Sequence, residues 1–339
     1  MEKDLNRKAE FILGGAVLLP KDYRPPFRLS RSTAGPGAGG SSVVFAFNGM
    51  RVKKTVSYDN GDFELRANDG RLNIFRKGKL FIEDIEIQPV IFHSPCQAFF
   101  NLDQNCMFRC IFCVSPLLDK NITKDLTNER IVEMVRTVDD QTDRIALTSG
   151  VVESVQSTVE RMASCVKELR NAFPDKTIGV EPYVDTKDQI DLLKASGADE
   201  IKLNRECARH DIFKIACPDL DYDRTLEMLR YAVSVFGEGR VASNIIYGLG
   251  ESDDDVMNEM ERLASIGIIP GLRALKITSV NMKELTASLG HLVPVSGERM
   301  IHLAKEQKRI MLKNGLTTET FRTMCFECQC CDIVPFRDL

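Results

Sequence analysis

Hydrophobic and polar positions follow two different periods along this chain. Between Val43 and Ile87, short runs of alternating apolar and polar residues are separated by turn pairs, which is the pattern of β-strands. From Gln97 onward, apolar β-type runs alternate with longer segments of helical period, and six such pairs follow one another. Strands that alternate with helices in this way predict a parallel sheet with right-handed crossovers.

Residues 1–91 are predicted to form a small antiparallel β module. A short amphipathic stretch from Leu5 to Leu13 ends at two glycines, a helix-stop signal, and a loop rich in Pro, Gly and Ser follows from Ser32 to Ser42. Asn-Gly and Asp-Gly pairs separate the β-type runs, and such pairs are the strongest short-range signal for a hairpin. The turn pairs are Asn48-Gly49, Asn60-Gly61 and Asp69-Gly70.

The six strand–helix pairs occupy residues 92–318. A doubly wound sheet and a barrel both satisfy this pattern, and in both the loops at the carboxyl ends of the strands bind ligands. The predicted strands are 97–103, 144–148, 177–183, 199–204, 240–248 and 272–278. The predicted helices are 127–138, 154–172, 187–196, 222–236, 252–265 and 296–314.

Composition and charge narrow the class of protein. The chain has 339 residues, of which 43% are hydrophobic and 28% charged, as in globular proteins, and its net charge of -4 argues against a general nucleic-acid surface. No apolar run approaches the roughly 18 residues of a membrane span, and the charged N-terminus does not resemble a signal peptide, so we expect a cytoplasmic protein. Residues 1–91 carry 15 Lys and Arg against 11 Asp and Glu. This basic module either faces an acidic partner or is simply solvated.

The 11 cysteines direct attention to metal or redox chemistry, because a reducing cytoplasm disfavours a disulfide framework. Seven of them form two clusters, one directly after the first predicted barrel strand and one in the C-terminal tail, residues 319–339. The clustered cysteines are Cys106, Cys110 and Cys113, and Cys325, Cys328, Cys330 and Cys331. The isolated cysteines, expected to be small buried core or loop residues, are Cys96, Cys165, Cys207 and Cys217.

The first cysteine cluster carries the most specific signal. Three thiolates leave a zinc site one ligand short, whereas a [4Fe–4S] cluster held by three cysteines keeps one iron open for a substrate or cofactor. The spacing C-x3-C-x2-C, with Phe112 just before the last cysteine and a β/α array behind it, resembles the radical S-adenosylmethionine (SAM) superfamily. This resemblance covers roughly residues 92–318.

The resemblance implies a fold, a cofactor and a reaction type. The fold is a partial (β/α)6 barrel of the TIM type, preceded here by the β module and followed by the cysteine-rich tail. The amino and carboxylate groups of SAM would chelate the open iron, and a reductant such as ferredoxin or flavodoxin would supply the electron. Reductive cleavage would then give a 5′-deoxyadenosyl radical that abstracts hydrogen from the substrate.

The resemblance also implies contacts at the second strand and in the cysteine loop. Phe112 would pack near the adenine, although any loop aromatic residue beside a core could do the same. Ser149 and Gly150 lie in the segment whose backbone receives the methionine amino group in the family. Glu153 departs from the family pattern, in which the acidic residue of this segment usually stands two positions nearer.

Further implied contacts lie at the fourth and fifth strands. Asn204 and Glu206 match residues of the biotin synthase subgroup that approach the ribose or the methionine carboxylate, and Arg209 is a candidate carboxylate partner by charge. A solvated loop position is the alternative for each. The fifth strand resembles the motif G-x-I-x-G-x-x-E, with asparagine in place of the first glycine. Its matched positions are Asn244, Ile246, Gly248 and Glu251.

The tail places four cysteines within seven residues, which predicts an irregular loop around a metal centre. An auxiliary [4Fe–4S] cluster, a zinc site, and a disulfide or exposed tail are the alternatives. Cys330 and Cys331 are adjacent, so the sequence does not decide which tail cysteines bind. If the tail donates sulfur, we expect it to fold back over the mouth of the barrel, because a carbon radical captures sulfur only at van der Waals range.

A second cluster favours sulfur insertion, since biotin and lipoyl synthases consume an auxiliary cluster as their sulfur source. The chain resembles the two-polypeptide lipoyl synthases of the archaeal type. This implies an octanoyl chain on a lysine of an acidic lipoyl-carrier domain as substrate, and a companion radical enzyme. Ile246, Tyr247 and Leu275 would line the substrate channel or pack in the core. The alternatives are a methylornithine-synthase-like or hydrogenase-cofactor-type enzyme acting on a small amino acid, and a non-catalytic iron–sulfur carrier.

Overall fold

The strands of the described part of the chain form two sheets. The structure is a computed structural model that describes residues 2–27, 29–31, 41–68, 70–119, 121, 123, 125–290, 292 and 294–339. One sheet belongs to the N-terminal region and the other to the predicted β/α array. Most of the predicted Pro-, Gly- and Ser-rich loop, residues 32–40, lies outside the described residues.

The first sheet closes into a small β-barrel. Its strands are β1 (Val17–Leu18), β2 (Ser30–Arg31), β3 (Ser41–Phe47), β4 (Met50–Ser57), β5 (Phe63–Asn68), β6 (Arg71–Arg76) and β7 (Lys79–Gln88). Strand β3 pairs with both β4 and β7, so the order β3-β4-β1-β5-β6-β7 returns to its start. Helix α1 (Glu2–Leu13) closes the interior, where Phe11 packs edge-on against Phe45 and Phe63.

The turn pairs of this module have different outcomes. The hairpin predicted at Asn48-Gly49 is confirmed, and both residues have the positive φ that a type I′ turn requires, 47° and 79°. Strands β5 and β6 pair antiparallel as predicted, although Asp69 of their turn lies outside the described residues.

The hairpin predicted at Asn60-Gly61 is wrong. Strand β1 lies between β4 and β5 and pairs in parallel with both. Gly61 makes room for that strand, because a Cβ there would lie 2.6 Å from both the Ala16 carbonyl oxygen and the Leu18 amide nitrogen. The Asn60-Gly61 pair, which has the composition of a tight turn, therefore does not form a hairpin; its glycine allows the backbone of β1 to approach closely.

The second sheet is the predicted partial (β/α)6 barrel. All its strands are parallel, in the order β8-β9-β10-β11/β12-β13-β14, with β11 and β12 as two pieces of the fourth strand. They are β8 (Ala98–Asn101), β9 (Arg144–Thr148), β10 (Thr177–Glu181), β11 (Glu200–Lys202), β12 (Glu206–Cys207), β13 (Val241–Tyr247) and β14 (Ile268–Ala274). Strands β8 and β14 do not pair with each other in the described structure, so the barrel is open on one side.

The helices follow the strands as predicted, with two additions. They are α2 (Asn128–Arg136), α3 (Val155–Ala172), α4 (Lys187–Ala195), α5 (His210–Ala216), α6 (Tyr222–Phe236), α7 (Asp253–Ala264), α8 (Met282–Leu289) and α9 (Gly297–Lys313). The sequence pattern did not indicate the short helices α5 and α8. The sixth strand begins four residues before its predicted start, because Pro270 and Gly271 interrupt the apolar run but are compatible with an edge strand.

The tail lies at the open side and the amino end of the barrel, not over its mouth as expected. Its short helix α10 (Met324–Cys328) begins under the amino ends of the strands, where the Thr323 amide donates to Glu200 at 3.0 Å. The Gln97 side chain, just before β8, exchanges two hydrogen bonds with the Met324 backbone, at 2.6 and 2.8 Å. Beyond α10, Asp332 accepts from the amide of Ala274 in β14 at 3.2 Å. The tail thus bridges the two open edges of the sheet.

The tail also joins the barrel to the N-terminal module. The amide of Lys53, in β4, donates to the Cys330 carbonyl at 3.0 Å. The Lys8 amine of α1 and the Asp338 carboxylate, both fully buried, form an ion pair at 2.7 Å between residues 330 positions apart. Across the described ranges, no helix is long and apolar enough to cross a membrane.

Candidate active site

The first three cysteines lie together in the loop that follows β8, at the carboxyl edge of the parallel sheet. All three side chains are half-buried. The Val151 amide donates to the sulfur of Cys106 at 3.4 Å, and the Ser115 amide donates to the sulfur of Cys113 at 3.5 Å. Burial raises the pKa of both thiols, and the nearby charge of Cys110 raises each further. Cys106 and Cys113 therefore both lie close enough to Cys110, on the same loop, to interact with its charge.

This donor set fits an iron–sulfur cluster. Cysteine thiolates are its usual ligands, and amide hydrogen bonds to their sulfur atoms are among the levers that set its potential. Within the described ranges, no three His, Cys, Asp or Glu side chains converge on a site for a single metal ion. A cluster of four irons does not require such convergence, because each thiolate binds a different iron atom and the ligands stand farther apart.

Cys110 has a cysteine neighbour, Cys217, that the sequence did not connect with it. The buried Cys217 thiol forms hydrogen bonds with Cys110 and Cys207, and these bonds and burial raise its pKa. Cys207 and Cys217 are 1% and 0% exposed, and Cys165 is fully buried in α3, which confirms the core positions predicted for these three. Phe112 packs beside the same apolar cluster, and its carbonyl accepts from the Asn281 side chain at 3.1 Å.

The second strand delivers Ser149 and Gly150 directly to the cysteine loop. The Gly150 amide donates to the Asp103 carbonyl at 2.6 Å, and the Ser149 hydroxyl donates to the Gly150 carbonyl at 2.9 Å. A Cβ at Gly150 would collide with the Asn105 carbonyl, so only glycine permits this approach. Glu153 is exposed three residues farther on and belongs to the surface.

Four polar side chains meet where the third and fourth strands end. The Asn204 amide nitrogen lies 2.9 Å from the Glu181 carboxylate, and the buried Lys202 amine lies 2.7 Å from the same carboxylate. Glu206 is their electrostatic neighbour. Burial, and next the charge of Glu181, raise the pKa of Glu206 to about 7. These four residues form a polar wall at the mouth of the barrel. It contains the ion pair of Lys202 with Glu181 and the Glu206 carboxyl, which is readily protonated.

The fifth strand adds an inward-facing amide and a tight loop. Asn244 is 8% exposed, and its backbone amide donates to the Asn204 side-chain oxygen at 3.3 Å. Gly248 has φ 103°, a conformation that favours glycine, and its amide donates to Glu251 at 2.6 Å. Glu251 also accepts from Arg299 at 3.0 Å, so its role in the structure is to cap this loop. Ile246 is half-buried in the cluster beside Cys110.

Other predicted site residues lie elsewhere. Arg209 is exposed at the start of α5 and pairs with Asp211 at 2.6 Å, so the structure does not bring it to Asn204 and Glu206. Tyr247 is fully buried and Leu275 is 8% exposed, which places both in the core.

The tail cysteines occupy a helical turn and the segment after it, so the predicted irregular loop is only partly correct. Cys325 and Cys328 lie on α10, three residues apart and hence on one face of the helix. Cys328 and Cys330 are buried, and their apolar neighbours are Val44, Val90 and Cys96. The tail cysteines therefore sit between the barrel and the N-terminal module.

One side chain connects the tail with the mouth. The Lys202 amine stands 3.9 Å from the Cys325 sulfur as well as 2.7 Å from the Glu181 carboxylate. Arg273, at the end of β14, is a further cation beside Cys325. Glu181, Lys202 and Arg273 were not predicted from the sequence, although a lysine in the centre of the apolar strand I-K-L and a carboxylate at the end of T-I-G-V-E are detectable signals.

Comparison with known proteins agrees with this geometry. The family model of the Radical SAM superfamily matches residues 101–263. Lipoyl synthase of Glaesserella parasuis serovar 5 is 29% identical over 174 residues, 48% of this chain and 51% of that protein. Lipoyl synthase of Idiomarina loihiensis is 24% identical over 228 residues, 63% of this chain and 64% of that protein. The chain thus matches about half to two-thirds of the length of these relatives.

Solved structures support the fold alone. The FeFe-hydrogenase maturase HydG from Carboxydothermus hydrogenoformans superposes with a TM-score of 0.52 at 17% identity, covering 65% of this chain and 52% of that one. Methylornithine synthase gives 0.51 at 14% identity, covering 65% and 69%. The matched family model, the three-cysteine loop and the open parallel barrel agree with one another. Residues 101–263 are therefore similar to the Radical SAM superfamily in sequence, and the barrel that contains them has the same fold as the solved structures named here.

Proposed function

We propose that this chain is a radical SAM enzyme that inserts sulfur at an unactivated C–H bond of an octanoyl chain carried on a protein lysine, as in lipoyl synthesis. The curated relatives named above are lipoyl synthases. The observation that carries the proposal is the double contact of Lys202, which links the Glu181 carboxylate at the mouth to the Cys325 sulfur of the tail. A sulfur source held by the tail would border the barrel interior at Cys325, and the substrate chain would reach it from the mouth past Lys202.

The side chains divide the work between two ends of the barrel. Cys106, Cys110 and Cys113 would hold the first [4Fe–4S] cluster, which with bound SAM supplies the radical that abstracts hydrogen from the substrate. Asn204 and Glu206 would orient the ribose or the methionine group through hydrogen bonds and charge.

The remaining assignments follow the predicted cofactor contacts. Ser149 and Gly150 would receive the methionine amino group, and Gly248 would let the backbone approach the adenine. The tail cysteines would hold a second cluster as the sulfur source, the role that an auxiliary cluster has in lipoyl synthases.

The N-terminal module would recruit the substrate protein. Lys77 and Lys79 are exposed at the β6–β7 turn, next to Leu80, which is 46% exposed. Positive charge beside an apolar contact suits an acidic lipoyl-carrier domain, which electrostatic attraction would guide to this turn. A companion radical enzyme would complete the second insertion, and a ferredoxin or flavodoxin would supply electrons.

The test uses the full chain, reconstituted anaerobically with iron and 34S-labelled sulfide and supplied with SAM, dithionite and an octanoyl-lysine peptide. We expect 5′-deoxyadenosine, together with thiolated peptide that carries the label, at about one sulfur atom per chain because the donated sulfide is not replaced. Cys325→Ala should still cleave SAM but give no thiolated peptide. Cys165→Ala, in the core of α3, is the matched control. Zinc bound by the tail, or many insertions per chain without a cluster donor, would contradict the proposal.

A further inference from the structure

The structure brings a fifth cysteine to the tail. We propose that Cys96, Cys325, Cys328 and Cys331 bind the second [4Fe–4S] cluster together, with Cys330 outside the ligand set. This inference rests on the tail cluster of the proposed function and names its ligands, one of which lies more than 200 positions away in the sequence. The site would join the segment that enters the barrel to the segment that leaves it.

Cys96 is positioned by its neighbours for this role. It lies in the short connection between β7 and β8 and packs against Cys328 and Cys330. Its sulfur is 3.5 Å from the Ser94 hydroxyl, and the same hydroxyl forms a hydrogen bond with Cys328. The Cys96 and Cys328 sulfur atoms are therefore both hydrogen-bond partners of the Ser94 hydroxyl. A separation of this size suits two ligands that bind different iron atoms of one cluster.

The adjacent cysteines Cys330 and Cys331 differ in where their thiols point. Cys330 is 1% exposed, and its thiol donates to the Cys328 carbonyl at 3.1 Å. Cys331 is the exposed cysteine of the tail, although its neighbours on both sides are buried and hydrogen-bonded, Cys330 to β4 and Asp332 to β14. Cys331 consequently faces the space between the two barrels.

The charged groups around that space favour an anionic cluster. Cys331 lies within electrostatic range of Lys53, Arg273, Cys325 and Cys328. Lys53 is fixed from both ends, since its amide binds Cys330 and its amine donates to the His93 carbonyl at 2.6 Å. Four thiolates around an iron–sulfur core carry net negative charge, which Lys53 of β4 and Arg273 of β14 would stabilise.

Iron and acid-labile sulfide per chain, measured after anaerobic reconstitution, test the ligand set. We expect about eight iron atoms in the wild-type chain and about four in Cys96→Ala and in Cys331→Ala, with SAM cleavage retained in both. Cys330→Ala and the matched control Cys165→Ala should keep about eight. Wild-type iron content in Cys96→Ala would overturn the assignment.

Two further measurements separate the possible failures. If replacing all four tail cysteines with alanine leaves the iron content unchanged, the tail cluster itself is wrong and the proposed function loses its basis. If that variant loses half of its iron but Cys96→Ala does not, only the ligand set fails. Alkylation of the wild-type chain needs no variant: iodoacetamide should label Cys331 before reconstitution and not after it. Equal labelling in both states would exclude Cys331 as a ligand.

Discussion

Glu206 has both an unusual backbone conformation and an unusual electrostatic environment. Its φ of 62° lies in the left-handed region, where side chains other than glycine are strained, and it falls at the break between β11 and β12. Burial and the charge of Glu181 raise its pKa to about 7. The break in the fourth strand thus presents a carboxyl group that changes charge near neutral pH.

This pKa predicts a pH dependence of cofactor binding. The ionised carboxylate accepts hydrogen bonds from the ribose hydroxyls and attracts the sulfonium of SAM more strongly than the protonated form does, so affinity should rise with pH through 7. We expect a gain of up to about tenfold between pH 6 and pH 8, measured by isothermal titration calorimetry. Glu206→Gln should bind weakly with a flat profile. A variant that keeps the slope would show that another group titrates.

A substitution of Asn204 is a simpler test of the polar wall at the mouth of the barrel. The Asn204 amide nitrogen donates to Glu181, and its side-chain oxygen accepts from the backbone of β13, so alanine removes both hydrogen bonds and leaves the Asn244 amide without this acceptor. Asn204→Ala should weaken SAM binding by about 1–3 kcal/mol without changing the iron content. Asn314→Ala, at the end of α9, is the control. Equal affinity in both variants would assign Asn204 to the scaffold.

The three cysteines of the first cluster should be individually indispensable. Replacing any one of Cys106, Cys110 and Cys113 with alanine removes one ligand of a site that has no spare thiolate in its own loop. We expect no 5′-deoxyadenosine from any of the variants with dithionite, measured by liquid chromatography. Formation of 5′-deoxyadenosine by Cys110→Ala would indicate that the adjacent Cys217 substitutes as a ligand.

At the scale of elements, the tail depends on one glycine of the barrel. Gly179 lies in β10, and a Cβ there would collide with the Thr323 side chain directly before α10. Gly179→Ala should therefore displace the tail and lower the iron content by about half, while SAM cleavage continues. Gly297→Ala, in the first turn of α9 with its nearest neighbour at 3.4 Å, is the control and should behave as wild type.

The elements show what the sequence could and could not predict. Periodicity is local, so it identified strands such as Thr177–Glu181 and helices such as Val155–Ala172 with only small errors at their ends. Strand β1 has two residues and no pattern of its own, and its insertion between β4 and β5 is a property of the assembled sheet. The position of the tail depends on contacts such as that of Gln97 with Met324, which no local pattern encodes.

The candidate site likewise has a part that the sequence predicts and a part that it does not. The cysteine loop is a contiguous motif, so its chemistry was predictable from spacing. Lys202 and Cys96 acquire their significance from partners more than 100 positions away, and each looks like an ordinary strand or core residue in the sequence. Arg209 is the opposite case, since charge and position suggested a ligand contact, whereas in the structure its guanidinium pairs with a nearer carboxylate, Asp211, and the ligand contact stays a prediction.

At the scale of the whole molecule, the basic turn of the N-terminal module predicts a selective effect on protein substrates. Lys77→Glu with Lys79→Glu should raise the KM for an octanoylated carrier domain several-fold at low salt, because attraction becomes repulsion. The KM for an octanoyl-lysine peptide should not change, and steady-state assays of both substrates would measure the difference. A parallel rise for the peptide would mean that the turn does not recognise the carrier.

The buried pair of Lys8 and Asp338 has a consequence for the order of events on the ribosome. Lys8 is synthesised 330 positions before its carboxylate partner, so a charge destined for a dry interior must stay hydrated while the residues between them are translated. Helix α1 therefore cannot settle into its final position early. Closure of so long a loop must wait for the tail, and until then the gap between the two barrels stays accessible to the iron and sulfide of the proposed second cluster.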